Sequence, residues 1–293
     1  MHTLFIPANS CCTLAVDQLL NRIYVSRTGD PAGSNTTIVD GPTLTVIKLV
    51  PKFGGAHNVD AKTRDVWFAG LYAGNAEVYS GRTDSVIAKV SLGACPTDSW
   101  VDTTRRQVWI SAQCGSGSDP VWAVNADTHA VVAGPIRTGG VMGWTVVNRA
   151  TGKFYVNNTS GNYAIDPVHF AKKRTSFGVA YAVDARTNLV YAIAQSDALN
   201  IVDGRNDKVV QNVPLSYAAA VVAVNQERNH VYLAGGENFI EVRDATTGAL
   251  VKTISMQASD SVVSLAADAK RARIYAGVAS GGNDYLYELH DDY

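Results

Sequence analysis

Hydrophobic residues in this chain fall into short runs with β-branched alternation, broken by turns rich in Asp, Asn, Thr and Gly. In the stretch VVAVN, HVYLAG, FIEVRD and ALVKTIS, apolar and polar positions alternate, which predicts four strands; NQERN and DATTG between them predict turns. The pattern repeats. An acidic or amide residue ends one strand of each unit, at Asp17, Asp60, Asp102, Asn148, Asp184, Asn225 and Asp268. Seven residues after each of these anchors stands an aromatic: Tyr24, Trp67, Trp109, Tyr155, Tyr191, Tyr232 and Tyr275. The anchors are 43, 42, 46, 36, 41 and 43 residues apart. A period of about 42 residues with four strands per unit predicts an all-β, seven-bladed β-propeller of four-stranded blades. Residues 1–293 are then one propeller domain.

The seventh unit runs out after YLYELHDDY with three strands, while the chain begins with a spare one, HTLFIPA. Residues 2–8 are expected to pair beside Leu286–Leu289, completing the last blade and removing two open edges. That reading gives the N-terminus a structural role; the segment MHTLFIP also lacks the charged and long apolar regions of a signal peptide.

Composition narrows the function classes. With 46% apolar and 17% charged residues, net charge −1 and no cationic cluster beyond Lys172-Lys173-Arg174, neither nucleic acid nor an anionic membrane is expected as partner. No apolar run approaches the roughly 20 residues of a membrane span. A monomer is expected. The six histidines are scattered, with His57 alone on the face argued below to carry the site, so no metal site and no cofactor is expected.

Blade strands alternate in direction, so the first-to-second and third-to-fourth turns share one face. The second-to-third loops and blade connections share the other. The first-to-second turn keeps one length, whereas the anchor-to-third-strand distance varies from 18 to 23 residues. Variable loops on a rigid scaffold are where sites are usually built, so the irregular face, here called the top, is the candidate. Cys11, Cys12, Cys95 and Cys114 all map to it. Cys95 and Cys114 share a blade rim and are placed to form a disulfide; Cys11 and Cys12 are expected to be a buried small residue and a pocket thiol. The sequons Asn35-Thr36-Thr37 and Asn157-Asn158-Thr159, with that disulfide, point to an extracellular or periplasmic protein.

Two before the anchors stand Ala15, Asn58, Trp100, Val146, Ala182, Ala223 and Ala266; Asn58 and Trp100 break a small-residue rule. Three before, blades two to five turn polar with His57, Ser99, Thr145 and Tyr181; four before, Asp98 and Trp144 stand out. Such breaks without packing gain mark candidate sites. The expected pocket takes His57, Asp98 and Tyr181 as acid/base groups. Asn58, Tyr72, Ser99, Trp100, Gln113 and Trp144 are its binding wall. Each has a structural alternative: the tryptophans as channel plugs, His57 as a hydrogen-bonded core residue, Asp98 as a turn cap.

The pieces Ile23-Tyr24-Val25, Ile38-Val39-Asp40, Ile201-Val202-Asp203 and Val242-Arg243-Asp244 make the chain resemble the YVTN-repeat β-propellers over its whole length. The proline usual before each inner strand of that family is present only as Pro96. The resemblance implies the fold but spans binding proteins, surface-layer proteins and enzymes, some of natural-product pathways that need no cofactor. Two functions follow as expectations. One is a cofactor-independent lyase, dehydratase or cyclase acting on a fairly apolar small molecule in a top-face central pocket. The other is a non-catalytic ligand- or protein-binding scaffold.

Overall fold

The computed structural model describes residues 2–6, 13–26, 35–51, 57–69, 74–93, 95–113, 119–195, 197–235 and 238–293, with Pro51 and His57 described by backbone alone. Seven four-stranded antiparallel sheets form the blades. Blade one is β2 (Thr13–Asp17), β3 (Arg22–Ser26), β4 (Asn35–Asp40) and β5 (Thr45–Pro51); blade two is β6 (His57–Val59), β7 (Asp65–Ala69), β8 (Asn75–Ser80) and β9 (Ser85–Ser91). Blade three is β10 (Pro96–Asp102), β11 (Gln107–Ala112), β12 (Pro120–Asn125) and β13 (Val131–Arg137); blade four is β14 (Met142–Val147), β15 (Phe154–Asn158), β16 (Gly161–Ile165) and β17 (Lys172–Thr175). Blade five is β18 (Val179–Asp184), β19 (Leu189–Ala194), β20 (Ala198–Asp203) and β21 (Lys208–Pro214); blade six is β22 (Ala219–Asn225), β23 (His230–Gly235), β24 (Phe239–Asp244) and β25 (Leu250–Ser255). Blade seven takes β26 (Asp260–Asp268), β27 (Arg273–Ser280) and β28 (Asn283–His290), and its fourth strand is β1 (His2–Ile6).

The closing strand runs antiparallel to β28 with His2 opposite Glu288, Leu4 opposite Leu286 and Ile6 opposite Asp284. Ile6 is buried, packed with Ile23, Tyr275 and Leu286 between blades seven and one. Successive inner strands neighbour one another around the ring, from β2 to β26 and back to β2. The fold is thus the one the repeat predicts, closure included.

The constancy of the anchor has a local cause. Each anchor carboxyl or amide oxygen accepts backbone N–H groups two or three residues on. Asp17 takes Leu19 and Leu20, Asp102 takes Thr104 and Arg105, Asn148 takes Ala150 and Thr151, and Asp184 takes Arg186 and Thr187. The residue four after the anchor then turns left-handed in every blade: Asn21, Arg64, Arg106, Gly152, Asn188, Asn229 and Ala272 all have positive φ. A short side chain with one acceptor oxygen is what such a turn requires, hence Asp or Asn. The turn sets the register, so the residue two before the anchor sits opposite the aromatic seven after it. Ala15 faces Tyr24, Ala182 faces Tyr191, Ala223 faces Tyr232 and Ala266 faces Tyr275. A small residue is the default there because its cross-strand neighbour is a fully buried ring. Blades are also pinned to each other by these rings: Tyr155 Oη donates to Asp207 Oδ1 of the next blade at 2.8 Å, beside Lys153 Nζ at 2.9 Å.

Candidate functional site: the top of the inner strands and the axial channel

The inner strands lose regular pairing near their top ends. In β10 the register shifts between Pro96 and Asp98, in β14 between Met142 and Thr145, and in β18 between Ala180 and Ala182. A bulge frees a residue from its ladder and re-aims its side chain. The residues so placed are the ones that stood out in the sequence: Asp98 at the edge of one bulge, Trp144 within the second, Tyr181 within the third. Trp144 and Tyr181, from neighbouring blades, bring their rings to 5.3 Å at 43°. Trp144 is 50% exposed, an unusual state for so large an apolar ring.

Asp98 and Trp100 lie two apart and share one side of β10, so the indole Nε1 donates back to Asp98 Oδ2 at 2.9 Å. Thr145 Oγ1 of blade four donates to the same oxygen at 2.5 Å, and the Ser99 amide donates to Oδ1 at 2.8 Å. All three bonds favour the carboxylate. Burial outweighs them, and the Asp98 carboxyl is pushed up to about 6. Burial likewise raises the Tyr181 phenol. Ser99 is buried, its Oγ given to the Trp67 carbonyl of blade two at 2.7 Å.

Below this cluster an axial cavity of about 570 Å³ runs along the inner strands. Trp100 belongs to both regions: its ring lines the cavity while its Nε1 holds Asp98, which is not itself in the lining. Tyr181 and Asn58 line it as well. The described lining continues down to Gln18, Arg149, Gln226 and Lys270 in the first-to-second turns. Arg149 folds back from its turn into the channel, where Nε donates to the Val101 carbonyl at 2.9 Å and Nη2 to Asn58 Oδ1 at 3.2 Å.

The structure pairs Asp98 with Trp100 and Thr145, pairs Trp144 with Tyr181, and joins Asn58 to Arg149. Gln113 is exposed, its backbone N–H donating to the Cys95 carbonyl at 2.9 Å. The backbone of His57 pairs with Phe68; its side chain, together with Tyr72, Cys11, Cys12 and Cys114, lies outside the described residues. The expected Cys95–Cys114 bridge lies there with them. Among the described residues no group of three His, Cys, Asp or Glu side chains is gathered as a metal site would need. No helix is long and apolar enough to cross a membrane.

Thr145, one of the polar residues three before an anchor, proves to be the partner of Asp98 from the neighbouring blade. One residue of this region escapes a reading based on the positions before the anchor. Arg149 follows its anchor directly, where the other blades carry Gln18, Ala61, Thr103, Ala185, Gln226 and Ala269. It is the one charge at that position, and that is the signal which could have found it.

Fold and site together define a seven-bladed β-propeller suited to hold a ligand or a protein partner. No protein-family model matches the chain, and no curated protein matches it significantly.

Proposed function

We propose that this chain is a small-molecule-binding propeller of the YVTN-repeat type, and that it acts as a cofactor-independent lyase, dehydratase or cyclase on a fairly apolar metabolite. The observation that carries this reading is Asp98. Its carboxyl, held by Trp100 Nε1 and Thr145 Oγ1, has its pKa pushed up to about 6 by burial. An acid/base group works best with a pKa near the working pH, and burial is how carboxyls are tuned there. In this reading Asp98 exchanges the proton, His57 is the second acid/base group, and Tyr181 donates a hydrogen bond to a leaving or carbonyl oxygen. Trp100, Trp144 and Tyr72 hold the apolar body. Elimination and cyclisation need only such a pair of proton-transfer groups and a shaped, dry pocket.

The test is to incubate the protein with fractionated small-molecule extract and follow conversion by mass spectrometry. Asp98→Asn should lower conversion by roughly 10²-fold or more while leaving the fold intact. Trp144→Ala should weaken retention of the same molecule instead. A second reading, a non-catalytic ligand- or protein-binding scaffold, is favoured by the three protein donors that already occupy Asp98. Retention of a ligand without conversion, unchanged in Asp98→Asn, would establish it.

A further inference from the structure

The axial channel carries a charge arrangement that the acid/base reading does not use. Its described lining contains three charged side chains, Arg64, Arg149 and Lys270, all cationic, and no carboxylate. Arg64 is spoken for: Nη1 lies 3.3 Å from Asp17 Oδ1. Arg149 is not. Its two hydrogen bonds go to neutral acceptors, a backbone carbonyl and an amide oxygen. Among the described residues no carboxylate lies within ion-pair distance of it. The two whose fields reach it, Asp102 and Asp60, are engaged elsewhere, by Arg105 Nη1 at 3.0 Å and Arg106 Nη1 at 2.7 Å. The loss of water around the guanidinium outweighs both of those fields. A cation drawn out of water without a counter-ion is costly, and a fold that keeps one in a cavity leaves room for an anion to join it.

Geometry says which anion. With Nε and one Nη2 hydrogen used, the guanidinium still offers the outer Nη2 hydrogen and both Nη1 hydrogens. That end-on pair matches the two oxygens of a carboxylate. Above Arg149 the wall combines Ala15, Val146, Ala182, Ala223 and Ala266 with Asn58, Trp100 and Tyr181, and offers no cation to a second negative charge. At the bottom mouth Gln18, Gln226 and the exposed Lys270 offer polar, cation-biased access. The cavity volume, about 570 Å³, lies in the usual range of roughly 300–1,000 Å³ for small-molecule sites.

We infer that the axial channel is a binding site for a small apolar monocarboxylate, which enters from the bottom face with its carboxylate on Arg149 and its hydrocarbon body against the alanine and valine wall. This site shares Trp100 and Tyr181 with the acid/base reading but turns on Arg149 rather than Asp98, and it is read by binding, not turnover.

The test is calorimetric titration of the whole protein with hexanoate and benzoate, beside 1-hexanol and inorganic phosphate. Both carboxylates should bind saturably at one site. Hexanol and phosphate should bind at least roughly tenfold more weakly, one lacking the charge and the other lacking an apolar body. Arg149→Met, which keeps the stem and removes the charge, should weaken hexanoate by roughly tenfold or more, with Arg149→Lys in between. Absence of saturable carboxylate binding overturns the inference, as does hexanoate binding unchanged in Arg149→Met. Should that variant fail to fold, the hexanoate–hexanol comparison on the unaltered protein decides: equal affinities overturn the site.

Discussion

At the scale of single residues, Asp98 makes a distinctive claim about pH. Its folded pKa, about 6, lies above the ordinary carboxyl value of 3.8. The folded state therefore binds more protons than the unfolded state between about pH 4 and pH 6, and stability falls as pH rises through that window. The contribution of Asp98 is most favourable below about pH 4 and fully lost above about pH 6. The loss is at most roughly 3 kcal/mol, less to the extent that water reaches the half-buried carboxyl. Asp98→Asn should flatten this segment of the stability–pH curve, measured by denaturant unfolding from pH 4 to 7. A variant with the same slope as the parent would show the carboxyl to be ordinary. Trp100 belongs to the same account, because its indole holds Asp98 and also walls the channel. Trp100→Phe keeps most of the ring and removes the donor, so it should raise the Asp98 pKa further.

At the scale of elements, one turn recurs around the bottom face, and its occupants depart from its demands in three blades, at Arg64, Arg106 and Ala272. The position four after the anchor is left-handed everywhere, and Asn or Gly suits it in four blades. Ala272 occupies it in blade seven with φ 52° and ψ 50°. A Cβ in that region costs on the order of 1 kcal/mol. Ala272→Asn should raise stability by up to about 1 kcal/mol, seen as a higher denaturant midpoint at unchanged slope; a lower midpoint would show that strain is not what limits the turn. The reverse experiment removes the capping oxygen. Asp184 is fully buried and accepts two backbone amides, so Asp184→Ala should cost about 2 kcal/mol. Asp184→Asn, the choice already made by Asn148 and Asn225, should cost much less.

At the scale of the whole molecule, the ring is closed without a covalent link by five residues. Loss of β1 uncovers the edge of β28 and the apolar faces around Leu286. A chain lacking residues 1–8 should lose several kcal/mol and aggregate on gel filtration, because an open propeller presents an unpaired hydrophobic edge. A soluble truncation of equal stability would show that the closing strand only decorates the ring. Arg149 braces the same ring from inside, reaching from blade four across Val101 of blade three to Asn58 of blade two. Its contribution to closure and its readiness for an anion have one origin, a long cation held over the axis by neutral acceptors.

Much of this was legible in the chain alone. Anchor and aromatic recur with a fixed offset because both belong to one local device, a turn of constant length between two paired strands. The three-strand seventh unit and the spare N-terminal strand predicted closure because a missing strand is a countable quantity. Asp98, Trp100, Trp144 and Tyr181 were conspicuous because each broke a positional rule. What sequence could not supply is how these exceptions meet. Bulges in β10, β14 and β18 each shift the register by one residue, and a linear count from the anchor does not detect them. Thr145 reaches Asp98 across 47 residues, and Arg149 reaches Asn58 across 91. The carboxyl pKa and the uncompensated guanidinium follow from which groups are near and how much water is excluded, and both are properties of the assembled ring rather than of any one blade.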